Sequence, residues 1–402
     1  MPAATGSGRR GAVIIPKLAL RNILGAGLRT WLNVVVLSFA FVAIIWTQGL
    51  YEGMNAQAER ASVDAALGGG QYWQEDYDPL DILSIDKAHA AVPQPLQSMI
   101  ADGKATAILV VQGTLYPKGR IQPVLIKGID PDQTLLSMPT NFLKTGDDRF
   151  PALIGSRMAK STGLQIGDTV TLRWRDANGM FDARDVEIVQ VMKTVVQTID
   201  QGQVWIPLDM LRDLAGMEGD ASLVVVAQGT LERPSAPGWV FRDLEFLLSD
   251  IKQLVQMKTV GSTILYTVLI LLAMLAIFDT QVLSIFRRKK EMGTLMALGF
   301  TRGRVIRLFT LEGALHGVLA AILAALYGIP LLTWYAGQGW AMPEAMDSYG
   351  FAIGEKLFPI YSAGLVAGTT LLVLVITTIV SYLPTRRIAK LKPTEALRGR
   401  IS

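Results

Sequence analysis

Few residues in this chain could do chemistry. Its 402 residues include two histidines, His89 and His316, and no cysteine. Thiolate metal sites, disulfide frameworks and multi-histidine metal centres are therefore excluded. Glu75, Asp76, Asp78 and Asp81 lie close enough in sequence to supply a hydrolytic carboxylate pair. A solvated acidic loop is the commoner outcome of such a run, and it is the reading adopted. Gly103-Lys104 lacks the upstream glycine and the following Ser or Thr of a phosphate-binding loop. Gly167-Asp168 reads as a turn before a strand. His89, in an Ala/Pro-rich stretch, is expected to be exposed. His316 sits about one turn inside an apolar run, where a helix contact or snorkelling is favoured over an ion path. Asp279 and Glu312 fall at the edges of apolar runs. Catalysis is not what these residues point to.

The elements around them suggest a membrane protein. Half of the residues are hydrophobic and 18% are charged, against roughly 25% charged in soluble domains. Crossing a hydrocarbon core of about 30 Å takes about 20 apolar helical residues. Four runs qualify, at 30–51, 259–283, 313–337 and 357–383. The N-terminal run is about twice as long as a signal-peptide core and its basic lead is long. It is read as an anchor, although "AQA" at 56–58 resembles a cleavage pattern.

Lysine and arginine set the orientation. Basic residues crowd 1–29, the loop 284–312 and the tail 384–402, whereas the short loop 338–356 is acidic. The positive-inside rule puts both termini and the 284–312 loop in the cytoplasm. Residues 52–258 then lie outside, with 19 basic and 27 acidic residues. The excess of basic residues follows topology and argues against a nucleic-acid surface.

Within 1–29, Leu20, Leu24 and Leu28 share one helical face while Lys17, Arg21 and Arg29 share another, the pattern of an amphipathic helix on the cytoplasmic leaflet. "EGMNAQAERASVDAAL" continues the first span as a polar helix and stops at Gly68-Gly69-Gly70. "WVFRDLEFLLSDIKQLVQMKT" reads as a second helical stalk leading into the second span. Strands are expected at "ATAILVVQGTLY", "RIQPVLIKGI" and "ASLVVVAQ". "LIGSRMAKSTGLQIGDTVTLRWR" reads as strand, short helix, turn and strand. "DANG" turns that last strand into "DARDVEIVQVMK", and "PLDMLRDLAG" is a short helix. The fold class is thus membrane α-helical, with four transmembrane helices and a large α+β extracytoplasmic domain inserted between helices 1 and 2.

One segment stands apart. In "FRRKKEMGTLMALGFTRGRVIRLFTLEG" a basic cluster precedes a short helix over Glu291–Leu298, whose apolar side is Met292, Leu295 and Met296. Gly299 is placed to end it in a left-handed conformation, and Thr301 to cap the next helix. A part-apolar helix held at the membrane face suits docking into a groove on a partner.

These residues also carry a resemblance. Glu291, Met292, Gly293, Leu295, Ala297, Leu298 and Gly299 resemble the cytoplasmic coupling loop of ABC transporter permeases of the FtsX/MacB/LolC-LolE type. "LALRNILGAGLRTWL" is similar to the N-terminal helix of that family, "LIGSRMAKSTGLQIGDTVTL" to its MacB-like periplasmic core domain, and "YLPTRRIAKLKPTEALR" to its tail. "KGIDP" at 127–131 leans toward the lipoprotein-releasing branch. The resemblance implies a multi-pass permease of the bacterial inner membrane. It implies ATP bound and hydrolysed by a separate ABC ATPase subunit, with no cofactor in this chain. It further implies a second permease chain, identical or paralogous, and a periplasmic adaptor or lipoprotein carrier as a further partner. Movement would pass through the stalks to the external domain, for lipoprotein release or for export of a hydrophobic or peptide substrate. An FtsX-like regulator of a cell-wall hydrolase and a membrane-anchored ligand sensor are the alternative readings.

Overall fold

The computed structural model describes residues 27–144, 150–194, 196–249, 289–341 and 356–388, with a few residue pairs between 252 and 283. The chain divides into two compact units. One comprises Met1–Met54, Gln256–Trp340 and Phe358–Ser402; the other comprises Asn55–Val255 and Ala341–Leu357.

The first unit is built from long apolar helices. Helix α1 is Gly27–Ser62; its last residues and the π-turn Val63–Leu67 belong to the second unit. Three helices among the described residues are long and apolar enough to cross a membrane. The expected span 259–283 lies largely outside the described residues, so a fourth crossing is not established. The expected helix within 1–29 lies outside them as well, apart from the first residues of α1.

Small residues let the membrane helices approach closely, which is how helices pack where burial from water no longer drives them together. A Cβ on Gly317 would stand 2.8 Å from the Thr377 hydroxyl, and one on Gly328 would stand 2.8 Å from Val42 Cγ2. Val34, Leu37, Phe41, Ile44, Ala320, Ala324, Val373 and Val380 form the buried seam. Thr369 donates to Gln48 Oε1 at 2.8 Å across it. Leu32, Val36, Phe39, Ile322, Leu326, Leu371 and Ile379 remain exposed, and such faces suit lipid or another apolar helix. The last long helix, Ala363–Ile388, starts later than the expected 357. Pro359 disfavours helix at the residue before it, and Ile360 N–H instead donates to Gly49 O at 2.9 Å.

The second unit holds a nine-stranded sheet. Its strands are β1 (Gln71–Gln74), β2 (Ala105–Leu115), β3 (Gln122–Ile129), β4 (Pro151–Gly155), β5 (Thr169–Arg175), β6 (Phe181–Met192), β7 (Gln203–Pro207), β8 (Leu223–Val226) and β9 (Trp239–Arg242), in the order β9-β1-β8-β2-β3-β7-β4-β6-β5. β2 also pairs with β5 over Gly113–Leu115, which closes the six strands β2, β3, β7, β4, β6 and β5 on themselves. Gly113 sits at that corner, where a Cβ would lie 2.5 Å from Ile126 Cδ1.

Side-chain alternation sorts the strand residues onto two faces. Leu109, Val111, Ile126, Ile154, Leu172, Trp174, Ile188 and Val204 fill one core cluster. Ile108, Val110, Ile129, Leu153, Met192, Trp205 and Val225 belong to the other, with Tyr77, Ile85, Leu136 and Leu143. Each fully buried aliphatic chain contributes about 1.5–3 kcal/mol.

Trp239–Arg242 corrects the second-stalk expectation. It is a strand, paired antiparallel with Gln71–Gln74. Aromatic and β-branched side chains favour that pleated edge. Helix starts only at Leu244, where Asp243 caps it by accepting from Phe246 N–H at 2.8 Å. The rest of that stalk lies mostly outside the described residues.

Candidate functional site

The segment singled out above folds as a helix, a tight turn and a second helix. The first helix is Lys289–Ala297 and the second Arg302–Gln338. Between them the chain reverses through Gly299, at φ +94°. Gly299 N–H donates to Met296 O at 3.1 Å and Phe300 N–H to Leu295 O at 3.0 Å. This is the paired closure that satisfies orphan carbonyls at a glycine-ended helix. Thr301 takes the extended N-cap backbone, but its side chain makes no capping bond. Its carbonyl accepts from Arg304 and Val305 instead.

Packing decides which residues face outward. Val305 and Phe309 are buried, and Leu295, Met296 and Phe300 pack against them. Gly293 is buried, while Glu291, Ala297 and Gly299 are exposed. The side chain of Met292 lies outside the described residues. Leu295 and Met296 therefore hold the helix to its neighbour rather than forming its free face. Leu298, 75% exposed, is the apolar side chain that this segment leaves uncovered among the described residues. The sequence marked the apolar side, but Val305 and Phe309 were missed as its cover. Their i, i+4 spacing on the following helix was the available signal.

The other candidates disperse. His89 is not free: its Nδ1 lies 2.6 Å from Asp220 Oδ2, with both side chains about one-fifth exposed. The pairing of Ala90–Ala91 with Asp220–Ala221 draws the two together. His316 Nδ1 sits 2.7 Å from Glu312 O one helical turn away, the helix contact expected. Asp78 and Asp81 accept backbone N–H bonds from Leu80 and Leu83 in local turns, and Glu75, Asp76, Asp78 and Asp81 are exposed. Lys104 pairs with Glu232 and Asp102, and these contacts raise its pKa. No metal-holding group of His, Asp or Glu occurs among the described residues.

Residues 263–393 match the family model "FtsX-like permease C-terminal", a stretch that contains the whole helix–turn–helix. The chain carries an FtsX-like permease domain. The chain is 24% identical over 277 residues to an uncharacterized ABC transporter permease of Methanocaldococcus jannaschii, covering 63% of each chain. It is 22% identical over 309 residues to the lipoprotein-releasing system transmembrane protein LolC of Xylella fastidiosa, covering 69% of this chain and 74% of LolC. A shorter match, 26% over 151 residues, is to the macrolide export ATP-binding/permease protein MacB of Psychrobacter arcticus, covering 37% of this chain and 21% of MacB. Among solved structures, the extracellular domain of the noncanonic ABC-type transporter YknZ from Gram-positive bacteria aligns at 16% identity and a TM-score of 0.26, over 40% of this chain and 83% of that one. The family model covers residues 263–393, about a third of the chain, and the relatives named here are ABC transporter permeases or carry a permease part.

Proposed function

We propose that this permease couples ATP hydrolysis by a separate ATPase subunit to movement of its α/β unit, and that the Lys289–Gly299 helix and turn are where the ATPase docks. The observation that carries the reading is Leu298. It is an exposed leucine at the tip of a short helix, fixed by the Gly299 turn and by packing on Val305 and Phe309. The helix that follows has 37 residues, about 55 Å at 1.5 Å per residue. That exceeds the hydrocarbon core, so a push at its cytoplasmic end would be carried stiffly into the membrane. α1 is likewise continuous from apolar to polar residues up to Ser62.

In this reading both termini are cytoplasmic and the α/β unit is periplasmic, in an inner membrane. Two permease chains, identical or paralogous, pair there. The work done is lipoprotein release or export of a hydrophobic or peptide substrate, with an adaptor or lipoprotein carrier outside. The names of the LolC and MacB relatives support that range of substrates.

The test is to purify the full chain with its candidate ABC ATPase partner and to compare Leu298→Asp with the unaltered protein. The expected outcome is normal membrane insertion, loss of co-purification and at least a tenfold fall in stimulated ATP turnover. Unchanged association and turnover would reject the docking site.

A further inference from the structure

The α/β unit contains a cavity of about 540 Å³ beside the turn that ends α1, within the ~300–1,000 Å³ of small-molecule sites. Ala65, from the π-turn Val63–Leu67, forms part of its wall. Met138, Pro139, Ile166, Val191, Met192 and Ile199 supply the rest of its apolar lining. The loop at Ser137 is tied to the turn by a bond from Ser137 N–H to Asp64 O, 2.7 Å long. π-turns of this kind recur at functional sites.

A strand irregularity shapes the opposite wall. Where β6 pairs with β4, the register jumps: Ala152 faces Ile188 but Leu153 faces Gln190, so Val189 is extra. An extra residue reverses which face the following side chains take. Ile188 lies in one core cluster, and both Val189 and Met192 lie on the other side. Gln190, Val191 and Met192, the residues that follow the extra one, all line the cavity. Bulges are enriched next to binding and active sites.

The polar members of the lining are Ser137, Ser156, Gln190, Lys193 and Thr194. Gln190 Oε1 is taken by Val191 N–H at 3.1 Å, so its amide nitrogen is the group left to offer. Ser156 donates to Asp200. Lys193 is exposed, and no ion pair to it occurs among the described residues. Ile166, 59% exposed, adds apolar surface at the edge. A largely apolar lining with flexible methionines and one exposed lysine, Lys193, fits a molecule with a hydrocarbon chain and an anionic head. At roughly 30 Å³ per water-sized group, the volume holds one chain of a dozen or more carbons and not two.

We propose that this cavity binds a single-chain anionic amphiphile, with its hydrocarbon against Met138 and Met192, its head at Lys193, and its occupancy sensed by the turn that ends α1. The inference goes beyond ATPase coupling and does not depend on it. The test reads binding alone. The full chain, in lipid nanodiscs, is exposed to a photoactivatable palmitate analogue, and the labelled peptides are mapped by mass spectrometry. Saturable labelling is expected on peptides containing residues 137–139 or 190–194, competed away by excess palmitate. Lys193→Glu should lower it at least fivefold, and Met138→Trp should abolish it by filling the cavity, while labelling of the membrane helices stays constant in both. A photoactivatable uncharged monoacylglycerol should label the same peptides more weakly. Labelling confined to the membrane helices would overturn the proposal, as would labelling of these peptides that neither variant changes or that the uncharged probe matches.

Discussion

The backbone N–H of Phe300 donates to the carbonyl of Leu295 across Gly299, and the two side chains share one buried patch with Val305 and Phe309. That single relationship ends one helix, aims the next and leaves Leu298 outward. It requires a positive φ at Gly299, found at +94°, where a β-branched residue is a genuine outlier.

Gly299→Val should therefore undo the turn. A cost of about 1–2 kcal/mol, or more, falls on one residue. Hydrogen exchange should show the Gly299 and Phe300 amides losing protection while Arg302–Gln338 keeps its own. With the partner ATPase present, stimulated turnover should fall as it does for Leu298→Asp. Unchanged protection at both amides would show that the turn does not depend on glycine.

How much of this could be read in advance differs by element. β2, β3 and β6 were legible because their apolar residues alternate or run continuously, a signal carried in the strand itself. Trp239–Arg242 was misread because the 3.6-period run that follows it extends backward by eye. Its true partner, Gln71–Gln74, is 165 to 171 residues away and leaves no mark in the local pattern. β7, Gln203–Pro207, was not anticipated. It is a five-residue, almost wholly buried strand with no polar face to show a period. At the coupling helix, spacing showed that Leu295 and Met296 share a side. It could not show that Val305 and Phe309 would cover them. The cavity was invisible for a similar reason, since its walls come from six separated stretches of chain and a bulge that only pairing creates.

Close helix approach gives a second prediction. Gly317 faces the Thr377 hydroxyl and Leu374, whereas Gly337, in the same helix, faces open space. Gly317→Leu forces a buried seam apart, with overpacking costs of about 1–3 kcal/mol. Gly337→Leu has no such cost and gains helix propensity. In detergent, the first should lower the apparent Tm by several degrees and the second should leave it unchanged or slightly raised. Equal shifts would mean that the Gly317 contact does not hold the helices together.

The third concerns Lys127, on β3 opposite Val110 on one side and Trp205 on the other. A lysine in a strand ordinarily reads as solvent-facing. Here its ammonium lies 5.1 Å from the centre of the Trp205 ring, and Trp205 is fully buried with no hydrogen-bond partner for its Nε1 among the described residues. Burial pushes the Lys127 pKa down from 10.5 to about 8, because desolvation disfavours the charged form. The sign of the linkage follows. Below about pH 8 the lysine is charged in both folded and unfolded chains, and the cost of its burial is fully present. Between about 8 and 10.5 the unfolded chain holds the proton that the folded chain has released, so stability rises with pH. Lys127→Met keeps the length of the stem and removes the charge. It should raise the apparent Tm at pH 7 by a few degrees, in line with ~1 kcal/mol being worth about 2–4 °C in a unit of this size. The gap between variant and unaltered protein should close as pH climbs toward 10. A gap that stays constant across that range would mean that Lys127 keeps its charge in the folded protein, stabilised by the Trp205 ring.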